Sequence, residues 1–403
     1  MRMRLLQINV TANSGSHGKI AEEIGSLAIQ RGWQSVIAYG RWANPSSSEL
    51  LRIGSSFDIN EHGIESRILD NHGRASRRAT KEFIKKIEAI KPDIIHLHNI
   101  HGYYLNYRIL FDYLKTTGSP VVWTLHDCWP FTGHCAHFEY DGCLKWKKEC
   151  FDCQFKYVYP ASFFLECSRR NFRLKKECFT TLRSLTLVPV SDWLKDYLKD
   201  SFLREQNIVV IHNGVDINKF APIVIERDDD VVELLGVASN WRMRKGLPDF
   251  IQLRERLPMN CHITLIGLSK KEIRQLPPGI TGIERTNSVE ELVYYYNRAD
   301  VLVNPTYEDN FPTINIEALA CGTPVITYRT GGSPEAVSLD TGWVVEQGDV
   351  DGIAMIIKDF NDKDNDVRFQ QRMACRERAV NEFDKDKQYL EYFKLYEKIL
   401  ENR

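Results

Sequence analysis

Short apolar, β-branched runs alternate with stretches of helical periodicity over most of this 403-residue chain. A parallel sheet whose strands are joined by helices produces this alternation, since helices cover both of its faces. The runs are RLLQINV, QSVIAYG, DIIHLHN, PVVWTLHD, LTLVPVS and NIVVIHNG, then VVELLGVAS, HITLIGL, ITGIERT, VLVNPT, PVITYRT and GWVVEQG. The pattern therefore predicts an α/β protein with two doubly wound sheets.

Polar turn residues and a run of charges between Asn213 and Asp230 separate the two series of strands. We place the domain boundary there, which gives an N-terminal domain over 1–221 and a C-terminal domain over 222–385. In the remaining segment, 386–403, apolar residues recur every three or four positions. This spacing predicts a helix, which we expect to pack back on the N-terminal domain.

Composition excludes several classes of protein. The chain has 53 basic and 54 acidic residues, a net charge of -1, which argues against a nucleic acid partner. No apolar run approaches the roughly 18 residues of a membrane helix, and the first one is too short for a signal peptide. We expect a cytoplasmic protein, with peripheral contact with the inner membrane left open. Its ten cysteines are then expected to be reduced.

The stretch YEDNFPTINIEALACGTPV follows a predicted strand, where ligands bind in open α/β sheets. Pro312 suits the first position of a helix and Asn310 is a candidate cap. Glu317 then lies about one turn inside the helix, and its side chain leans back towards the helix start. This acid and Glu308 or Asp309 are therefore predicted to flank an anion bound on free backbone amides.

Two other segments also follow predicted strands. Lys245 lies in ASNWRMRKGLPDF beside Arg242 and Arg244, and three cations at a strand end suit a diphosphate. The alternative for this segment is a solvated basic turn. Gly15 and Gly18 in NSGSHGK permit close backbone approach, although their spacing is not GxGxxG. The alternative for the glycines is a tight strand-to-helix turn.

Several motifs taken together resemble one family. RKGL, EDNFPTINIEALACGTPVI and TGGSPE, with IHNGVD at the domain boundary, resemble the retaining family 4 glycosyltransferases of GT-B fold. LHNIHGYYLNY and WTLHDCWPFTGHC resemble bacterial members assigned to capsule, exopolysaccharide and colanic-acid-like pathways. The resemblance spans nearly the whole chain. It implies two Rossmann-like domains facing a central cleft.

The implied activity is transfer of a sugar from a nucleotide diphosphate sugar to a glycan or polyprenyl-linked glycan. Transfer would retain the anomeric configuration and need no catalytic metal. Asp309 and Glu317 match the family's pair of acids, whereas Glu308 is one residue too far away. By resemblance, Asp309 contacts the hydroxyls of the donor sugar and Glu317 contacts the ribose. Lys245 meets the charge of the diphosphate.

The resemblance also places the amides of Phe311, Thr313 and Ile314 on the diphosphate, with Asn310 in the same donor site. The sequence departs from the family pattern at two positions, one that bears on the choice of sugar and one that bears on the cations at the diphosphate. The first acid is aspartate where glutamate is usual, and Asn240 stands where an arginine is frequent, so Arg242 or Arg244 would replace that arginine.

His126 in WTLHD matches the family histidine that faces the donor sugar from the first domain. Its imidazole would bond a sugar hydroxyl or help to hold charge as the glycosidic bond breaks. The alternative is a structural histidine at a strand end. His96, His98 and His101 alternate along HLHNIHG, and either a metal site or the polar rim of a cleft would use them.

A cysteine-rich insert near 128–153 holds Cys135, Cys143, Cys150 and Cys153, ending in a CxxC pair. Four thiolates in so short a segment suit a structural zinc ion, with His134 or His137 as substitute ligands. Unligated reduced thiols are the equally open alternative.

The segment after this insert mixes aromatic residues with five cations, Arg169, Arg170, Arg173, Lys175 and Lys176. It is either a solvated helix face or a surface that docks on anionic lipid. Two rivals to a glycosyltransferase stay open: a nucleotide-sugar epimerase of GT-B fold, and a nonenzymatic scaffold containing zinc.

Overall fold

The computed structural model describes residues 2–182, 184–225, 231–241 and 243–402. The chain forms two compact units. The first unit comprises Met1–Ile211 and Tyr389–Arg403, and the second comprises His212–Gln388. Each unit is built on one parallel sheet, which confirms the predicted class of two doubly wound α/β domains.

The first unit has seven described strands, all parallel to their neighbours. They are β1 (Arg4–Ala12), β2 (Gln34–Ala43), β3 (Glu49–Arg52), β4 (Ile94–Leu97), β5 (Val121–Leu125), β6 (Leu185–Pro189) and β7 (Asn207–Ile208). Its helices include α1 (Gly15–Gln30), α2 (Ser56–Leu69), α3 (Arg77–Ile90), α4 (Tyr107–Thr117), α5 (Ser168–Phe179) and α6 (Asp192–Asp200). The sheet order is β3-β2-β1-β4-β5-β6-β7, and every residue of β4, β5 and β6 is buried.

The described part of the second unit has a six-stranded parallel sheet. Its strands are β8 (Val232–Val237), β9 (Cys261–Ile266), β10 (Ile280–Ile283), β11 (Val301–Asn304), β12 (Val325–Tyr328) and β13 (Gly342–Val345). Its helices are α7 (Leu247–Arg256), α8 (Lys270–Ile273), α9 (Val289–Arg298), α10 (Thr313–Ala320), α11 (Val350–Asn361) and α12 (Asn365–Glu382). The sheet order is β10-β9-β8-β11-β12-β13.

All twelve predicted strands are present, and the strand that the sequence missed is β3. It lies at the edge of its sheet, and three of its four residues are exposed. An exposed edge strand carries no continuous apolar run, so the pattern used for prediction did not detect it.

The last helix, α13 (Lys385–Glu401), packs on the first unit from Tyr389 onwards. The hydroxyl of Thr124 donates to the hydroxyl of Tyr392 at 3.0 Å, and the hydroxyl of Tyr396 bonds Nδ1 of His96 at 2.6 Å. None of the described helices is both long enough and apolar enough to cross a membrane.

The units divide between Ile211 and His212, earlier than the boundary we predicted at 222. The reason is that residues 212–221 bond to the second unit. The amide of Val215 donates to the carbonyl of Phe383 at 2.8 Å, and Arg376 donates to the carbonyl of Phe220 at 2.9 Å. Polar turn residues in the sequence marked the region of the boundary but not these contacts.

Each sheet has one position where the strand order reverses. In the first unit it lies between β1 and β4, and in the second between β8 and β11. Loops that leave two such neighbouring strands turn in opposite directions, so a crevice opens at the carboxyl ends of the strands. These two positions are therefore the first places to examine for a ligand site.

Candidate functional site

Lys245 and Asp309 meet at the reversal point of the second sheet. Lys245 ends a 3₁₀ turn (Met243–Lys245) after β8, and Asp309 lies in the loop after β11. The Lys245 Nζ atom is 2.6 Å from Asp309 Oδ2, and both side chains are partly exposed. A cation and a carboxylate thus stand together where a ligand can reach them.

The neighbouring pair, Arg244 and Glu308, is arranged differently. The guanidinium of Arg244 bonds the carboxylate of Glu308, whose side chain is only 6% exposed. Of the two candidate acids, Asp309 is thus the one that pairs with Lys245. Arg242, which we also predicted in the donor site, lies outside the described residues.

Backbone contacts hold these two loops together. The amide of Tyr307 donates to the carbonyl of Arg244 at 2.8 Å, and the Thr306 hydroxyl donates to the same carbonyl at 3.3 Å. Gly246 has φ +75, and a Cβ there would lie 2.3 Å from the carbonyl oxygen of Pro305. Close packing of the two loops therefore requires a glycine after Lys245.

The predicted helix after Asp309 is α10, but its start differs in detail. Its first residue is Thr313, with Pro312 as the N-cap and no side-chain cap, so the prediction that Asn310 caps the helix is wrong. Asn310 is instead buried. Proline, which lacks an N–H, loses nothing at a position just before the helix. Thr313 and Ile314 fall in the first turn, where amides have no partner within the helix.

Two contacts fix the chain before α10. The ring of Phe311 packs on His212 at 4.9 Å between centroids, and Asn213 Nδ2 donates to the Phe311 carbonyl at 3.4 Å. Further along, in the second turn of the helix, Glu317 is half-buried and accepts a hydrogen bond from the Tyr296 hydroxyl at 2.7 Å. The helix start and its carboxylate are thus held rigidly within the second unit.

A third loop, after β12, packs against the backbone of Asp309. Gly331 has φ +50, and a Cβ there would lie 1.7 Å from the Asp309 carbonyl oxygen. The amide of Gly332 donates to that oxygen at 3.3 Å. Sequence reasoning used these glycines only as part of the family motif. Their structural role depends on a contact between loops that lie far apart in sequence.

In the first unit, three histidines meet at or beside its reversal point. His98 follows β4, His126 follows β5, and His17 lies in the first turn of α1, after β1. The distance from His98 Nδ1 to His126 Nε2 is 3.3 Å, and the rings of His17 and His126 are 5.9 Å apart. Sequence reasoning found His126 but missed His17. The available signal was a histidine shortly after the end of each of these three strands.

Gly15 and Gly18 lie on either side of His17, in the first turn of α1. Gly15 has φ +69 with open space at its Cβ position. A Cβ on Gly18 would lie 2.6 Å from the Thr11 hydroxyl, so α1 packs against β1 only with a glycine there. The tight strand-to-helix turn accounts for both glycines, and their contact with a donor stays a prediction.

Burial keeps these histidines uncharged. Burial, with His98 and His17 close by, lowers the pKa of His126 well below its ordinary value. Burial and the nearby His101 lower the pKa of His17 to about 4. At neutral pH the imidazole of His126 therefore offers one donor and one acceptor for hydrogen bonds, and no positive charge.

His101 belongs to a second polar group beside them. Its Nε2 atom is 2.8 Å from Asp127 Oδ2, and its Nδ1 atom is 2.9 Å from the Tyr159 hydroxyl. Although burial opposes it, the charge and hydrogen bond of His101 hold the pKa of Asp127 below its usual range. The prediction of a polar rim is wrong for His96 and His98, because both are buried and bonded inside the first unit.

The neutral, buried histidines predict that the first unit loses stability in mild acid. Their folded-state pKa is depressed, so below pH 6.5 the unfolded chain binds protons that the folded chain does not. The loss runs from about pH 6.5 down to the folded-state pKa, about 4 for His17 and about 3 for His62 and His96. Each histidine contributes at most about 1.4 kcal/mol per pH unit.

Thermal unfolding followed by tryptophan fluorescence tests this expectation, because six of the eight tryptophans lie in the first unit. The midpoint of the wild-type protein should fall steadily from pH 7 to pH 5. The fall should be weaker in a His96→Gln variant. It should equal that of the wild type in His262→Gln, which replaces a partly exposed histidine of the second unit. An unchanged midpoint over this range would refute the pKa assignments.

Comparison with known proteins agrees with this geometry. Residues 18–219, half of the chain, match the family model described as Glycosyltransferase Family 4, and residues 233–361 match Glycosyl transferases group 1. The chain belongs to glycosyltransferase family 4. It is a glycosyltransferase, and its fold class is GT-B as predicted.

Two relatives and two solved structures illustrate the similarity. The chain is 24% identical to the Escherichia coli protein named "Putative colanic acid biosynthesis glycosyl transferase WcaC", over 86% of this chain and 88% of that protein. It is 23% identical to the N,N'-diacetylbacillosaminyl-diphospho-undecaprenol alpha-1,3-N-acetylgalactosaminyltransferase of Campylobacter jejuni, over 51% of this chain and 58% of that protein.

Among solved structures, sucrose-phosphate synthase from Thermosynechococcus elongatus superimposes with a TM-score of 0.73 at 17% identity, covering 100% of both chains. HepE of Anabaena, solved with UDP-glucose, has a TM-score of 0.65 at 13% identity, covering 98% of this chain and 100% of that chain. At these identities the structures establish the fold alone.

Proposed function

We propose that the protein transfers a sugar from a nucleotide diphosphate sugar to a glycan or lipid-linked glycan in cell-surface polysaccharide biosynthesis. The observation that carries the proposal is the contact of Lys245 with Asp309 at the reversal point of the second sheet, just before the start of α10. A nucleotide sugar has a diphosphate with hydroxyl groups on both sides. The cation and the free amides of the helix start suit the diphosphate, and the two carboxylates suit the hydroxyls.

Each residue then has a role in donor binding. Lys245 exchanges Asp309 for the oxygens of the diphosphate, which leaves the carboxylate of Asp309 to accept from sugar hydroxyls. The amides of Thr313 and Ile314, with that of Phe311, bond the diphosphate, and Glu317 accepts from the ribose hydroxyls. His126, uncharged at neutral pH, bonds a hydroxyl of the sugar.

The chemistry of the proposed reaction follows from these roles. As the bond from the anomeric carbon to the diphosphate breaks, negative charge grows on the leaving oxygen, and Lys245 with the helix start stabilises it. The leaving phosphate accepts the proton of the incoming hydroxyl, which forms the new bond on the same face with retention. Because Lys245 and the amides meet the charge, no catalytic metal is needed.

The names of the relatives support the donor and acceptor classes. HepE was solved with UDP-glucose, and the Campylobacter jejuni relative is named for an acceptor on diphospho-undecaprenol. The Escherichia coli relative is named for colanic acid biosynthesis. We infer that the protein uses a nucleotide-sugar donor and an acceptor linked to a polyprenyl diphosphate or to a growing glycan.

Product analysis tests the proposal. The purified protein is incubated with nucleotide sugars labelled in the sugar and with a lipid extract of bacterial membranes. Transfer predicts release of the nucleoside diphosphate in step with label in the lipid or glycan fraction. An epimerised sugar still attached to its nucleotide would indicate an epimerase instead. Binding of donors without turnover on any acceptor fraction would favour a scaffold.

Contact with a membrane surface is part of the proposal. From the sequence, the segment with five cations is either a solvated helix face or a lipid-docking surface, and its contacts do not favour docking. Arg169 and Arg173 pair with Glu149 at 3.4 and 2.5 Å. Lys175 is buried, so its assignment to a lipid-facing surface is wrong. It lies on the face of α5 that packs into the core of the first unit.

A different surface of the first unit suits lipid better. It consists of exposed apolar residues on α2 and on the segment beside it, which together we call the apolar patch: Phe57, Ile64, Ile68, Leu69, Phe163, Phe164 and Leu165. The two segments are joined, because the amide of Phe163 donates to the Arg67 carbonyl at 2.7 Å. Two exposed arginines are nearby in the chain: Arg67 lies on α2, and Arg52 ends β3 just before α2 begins. Apolar side chains beside cations favour an anionic bilayer surface.

Substituting serine for Phe163 and Phe164 together is therefore expected to weaken binding to vesicles containing phosphatidylglycerol by about tenfold or more, since both rings leave the interface. Flotation of the protein with vesicles measures this binding. The matched control is the double serine variant of Phe369 and Met373, two similarly exposed residues of the second unit. Equal flotation of all three proteins would show that the apolar patch does not bind lipid.

A further inference from the structure

The cysteine-rich insert of the first unit has little regular structure. Between the end of β5 at Leu125 and the start of α5 at Ser168, the regular elements are two short 3₁₀ turns, Trp129–Phe131 and Lys145–Lys147. Every residue of this span is described. Irregular segments of this length are uncommon in compact domains. Small domains with little regular structure are often held together by a metal ion or by disulfides.

All four predicted cysteines line one cavity in this insert. The cavity has a volume of about 260 Å³, and Cys135, Cys143, Cys150 and Cys153 contribute to its wall. The thiols of Cys135 and Cys153 are hydrogen-bonded to each other. The fold of the insert thus brings together cysteines that are up to eighteen positions apart in sequence, Cys135 and Cys153.

His134 also lines this cavity, and its two ring nitrogens have different surroundings. Its Nδ1 atom is bonded to Asp70 Oδ1 at 2.7 Å, with both side chains 1% exposed. The other ring nitrogen, Nε2, is buried without a hydrogen-bond partner among the described residues. A histidine whose one nitrogen is held by a carboxylate while the other stays open is the usual arrangement of a metal ligand.

Two further contacts order the chain around this cavity. The amide of Gly133 donates to Cys150 Sγ at 3.2 Å, and a Cβ on this glycine would lie 2.3 Å from the Ser168 carbonyl. The buried Lys175 donates to the carbonyls of Trp129 and Thr132 at 2.6 and 3.0 Å. The Gly133 N–H stabilises negative charge on the Cys150 sulfur, and Lys175 holds two carbonyls of the chain that leads into the cavity.

We propose that this cavity binds one structural zinc ion through Cys135, Cys150 and Cys153, with His134 or Cys143 as the fourth ligand. Sulfur and imidazole ligands select zinc over magnesium or calcium, and four protein ligands leave no open position for catalysis. The ion fixes the insert that follows β5 and His126. The proposal is independent of the donor site, because no ligand of the zinc takes part in sugar transfer.

Binding requires small local movements. Among the described residues, no three of these ligand atoms lie within 4.8 Å of one another. The proposal requires the cysteine side chains to rotate between staggered χ1 positions so that their sulfur atoms approach one another in the cavity. The hydrogen bond between Cys135 and Cys153 is then replaced by two bonds to the metal.

Metal analysis of the full chain, purified without chelator from cells supplied with zinc, tests the proposal. We expect about one zinc ion per chain. Replacement by Co²⁺ should give the charge-transfer and visible absorption of a tetrahedral thiolate site. Loss of the ion to a chelator should lower the unfolding midpoint reported by tryptophan fluorescence. A zinc content far below one per chain, with no cobalt spectrum, would overturn the proposal.

Variants separate the proposed ligands from other cysteines. Cys153→Ser is expected to lose zinc, while Cys178→Ser, a buried cysteine of α5 outside the cavity, should keep it. Comparison of Cys143→Ser with His134→Asn shows which residue is the fourth ligand, because only one of them should reduce the zinc content. Retention of zinc by Cys153→Ser would overturn the assignment.

Titration of thiols in the unfolded wild-type protein completes the test and needs no variant. The zinc site predicts ten reactive thiols per chain after removal of the metal, since the sequence has ten cysteines. A count lower by two, with peptide mapping that places the disulfide between two of the four cavity cysteines, would overturn the proposal.

Discussion

Replacing Lys245 by methionine, or Asp309 by asparagine, is expected to lower the rate of sugar transfer by about 10²- to 10³-fold. Lys245 stabilises charge that develops on the leaving diphosphate, and Asp309 positions the sugar. Both side chains are partly exposed, and an ion pair of this kind contributes no more than about 1 kcal/mol to folding. The melting temperature should therefore change little. Initial rates of release of the nucleoside diphosphate measure the effect.

Lys271→Met is the matched control, because Lys271 is an exposed lysine of α8 in the same unit. It should retain the wild-type rate. Rates close to the wild type in Lys245→Met or in Asp309→Asn would remove that residue from the proposed site. A large fall in melting temperature in either variant would instead show that the pair is structural.

Gly331→Ala is the second substitution with a large expected effect. The new Cβ would lie 1.7 Å from the carbonyl oxygen of Asp309, at a φ of +50 that disfavours alanine. The loop that carries Asp309 or the loop that carries residue 331 must shift, and a displacement of about 1 Å in a catalytic site can cost about 10² in rate. Strain of this kind also costs about 1 to 3 kcal/mol of stability. Steady-state kinetics and thermal unfolding measure the two effects.

Gly348→Ala separates the steric clash from the cost of positive φ. Gly348 has φ +79, but the nearest atom to its Cβ position is the Tyr307 hydroxyl at 3.4 Å. This variant should lose some stability and keep its rate. If both variants keep the wild-type rate, then the loop after β12 does not position Asp309 for catalysis.

Much of the fold follows from the sequence because its signals are local. Strands such as β4 and β5 are buried at every residue, so they appear as short apolar runs between helical segments. The edge strand β3 is exposed and gave no such signal. Lys245 and Asp309 were singled out because both follow predicted strands, and because Asp309 and Glu317 match the spacing of the family's pair of acids.

The contacts that depend on strand order could not be read from the sequence. His17, His98 and His126 meet because β1 lies beside β4 and β4 beside β5, which periodicity does not specify. The role of Gly331 likewise depends on a contact with a loop more than twenty residues away.

One error was avoidable. In α5 the buried residues Asn171, Phe172, Lys175, Cys178 and Phe179 recur at helical spacing, so the helical period itself places Lys175 on the inner face. Grouping the five cations of this segment by sequence proximity ignored that period. Positions on a helix should be assigned to faces before their charges are added together.

Calorimetric titration with UDP-, GDP-, dTDP- and CDP-linked sugars tests the central claim most directly, which is that the second unit holds a nucleotide diphosphate sugar at Lys245, Asp309 and Glu317. The titration is made on the wild-type protein and on Lys245→Met. The account predicts that one donor binds about tenfold or more tightly than its bare nucleotide, and that the variant weakens this binding by a similar factor. A donor that binds equally to both proteins, or no binding across the whole panel, would contradict it.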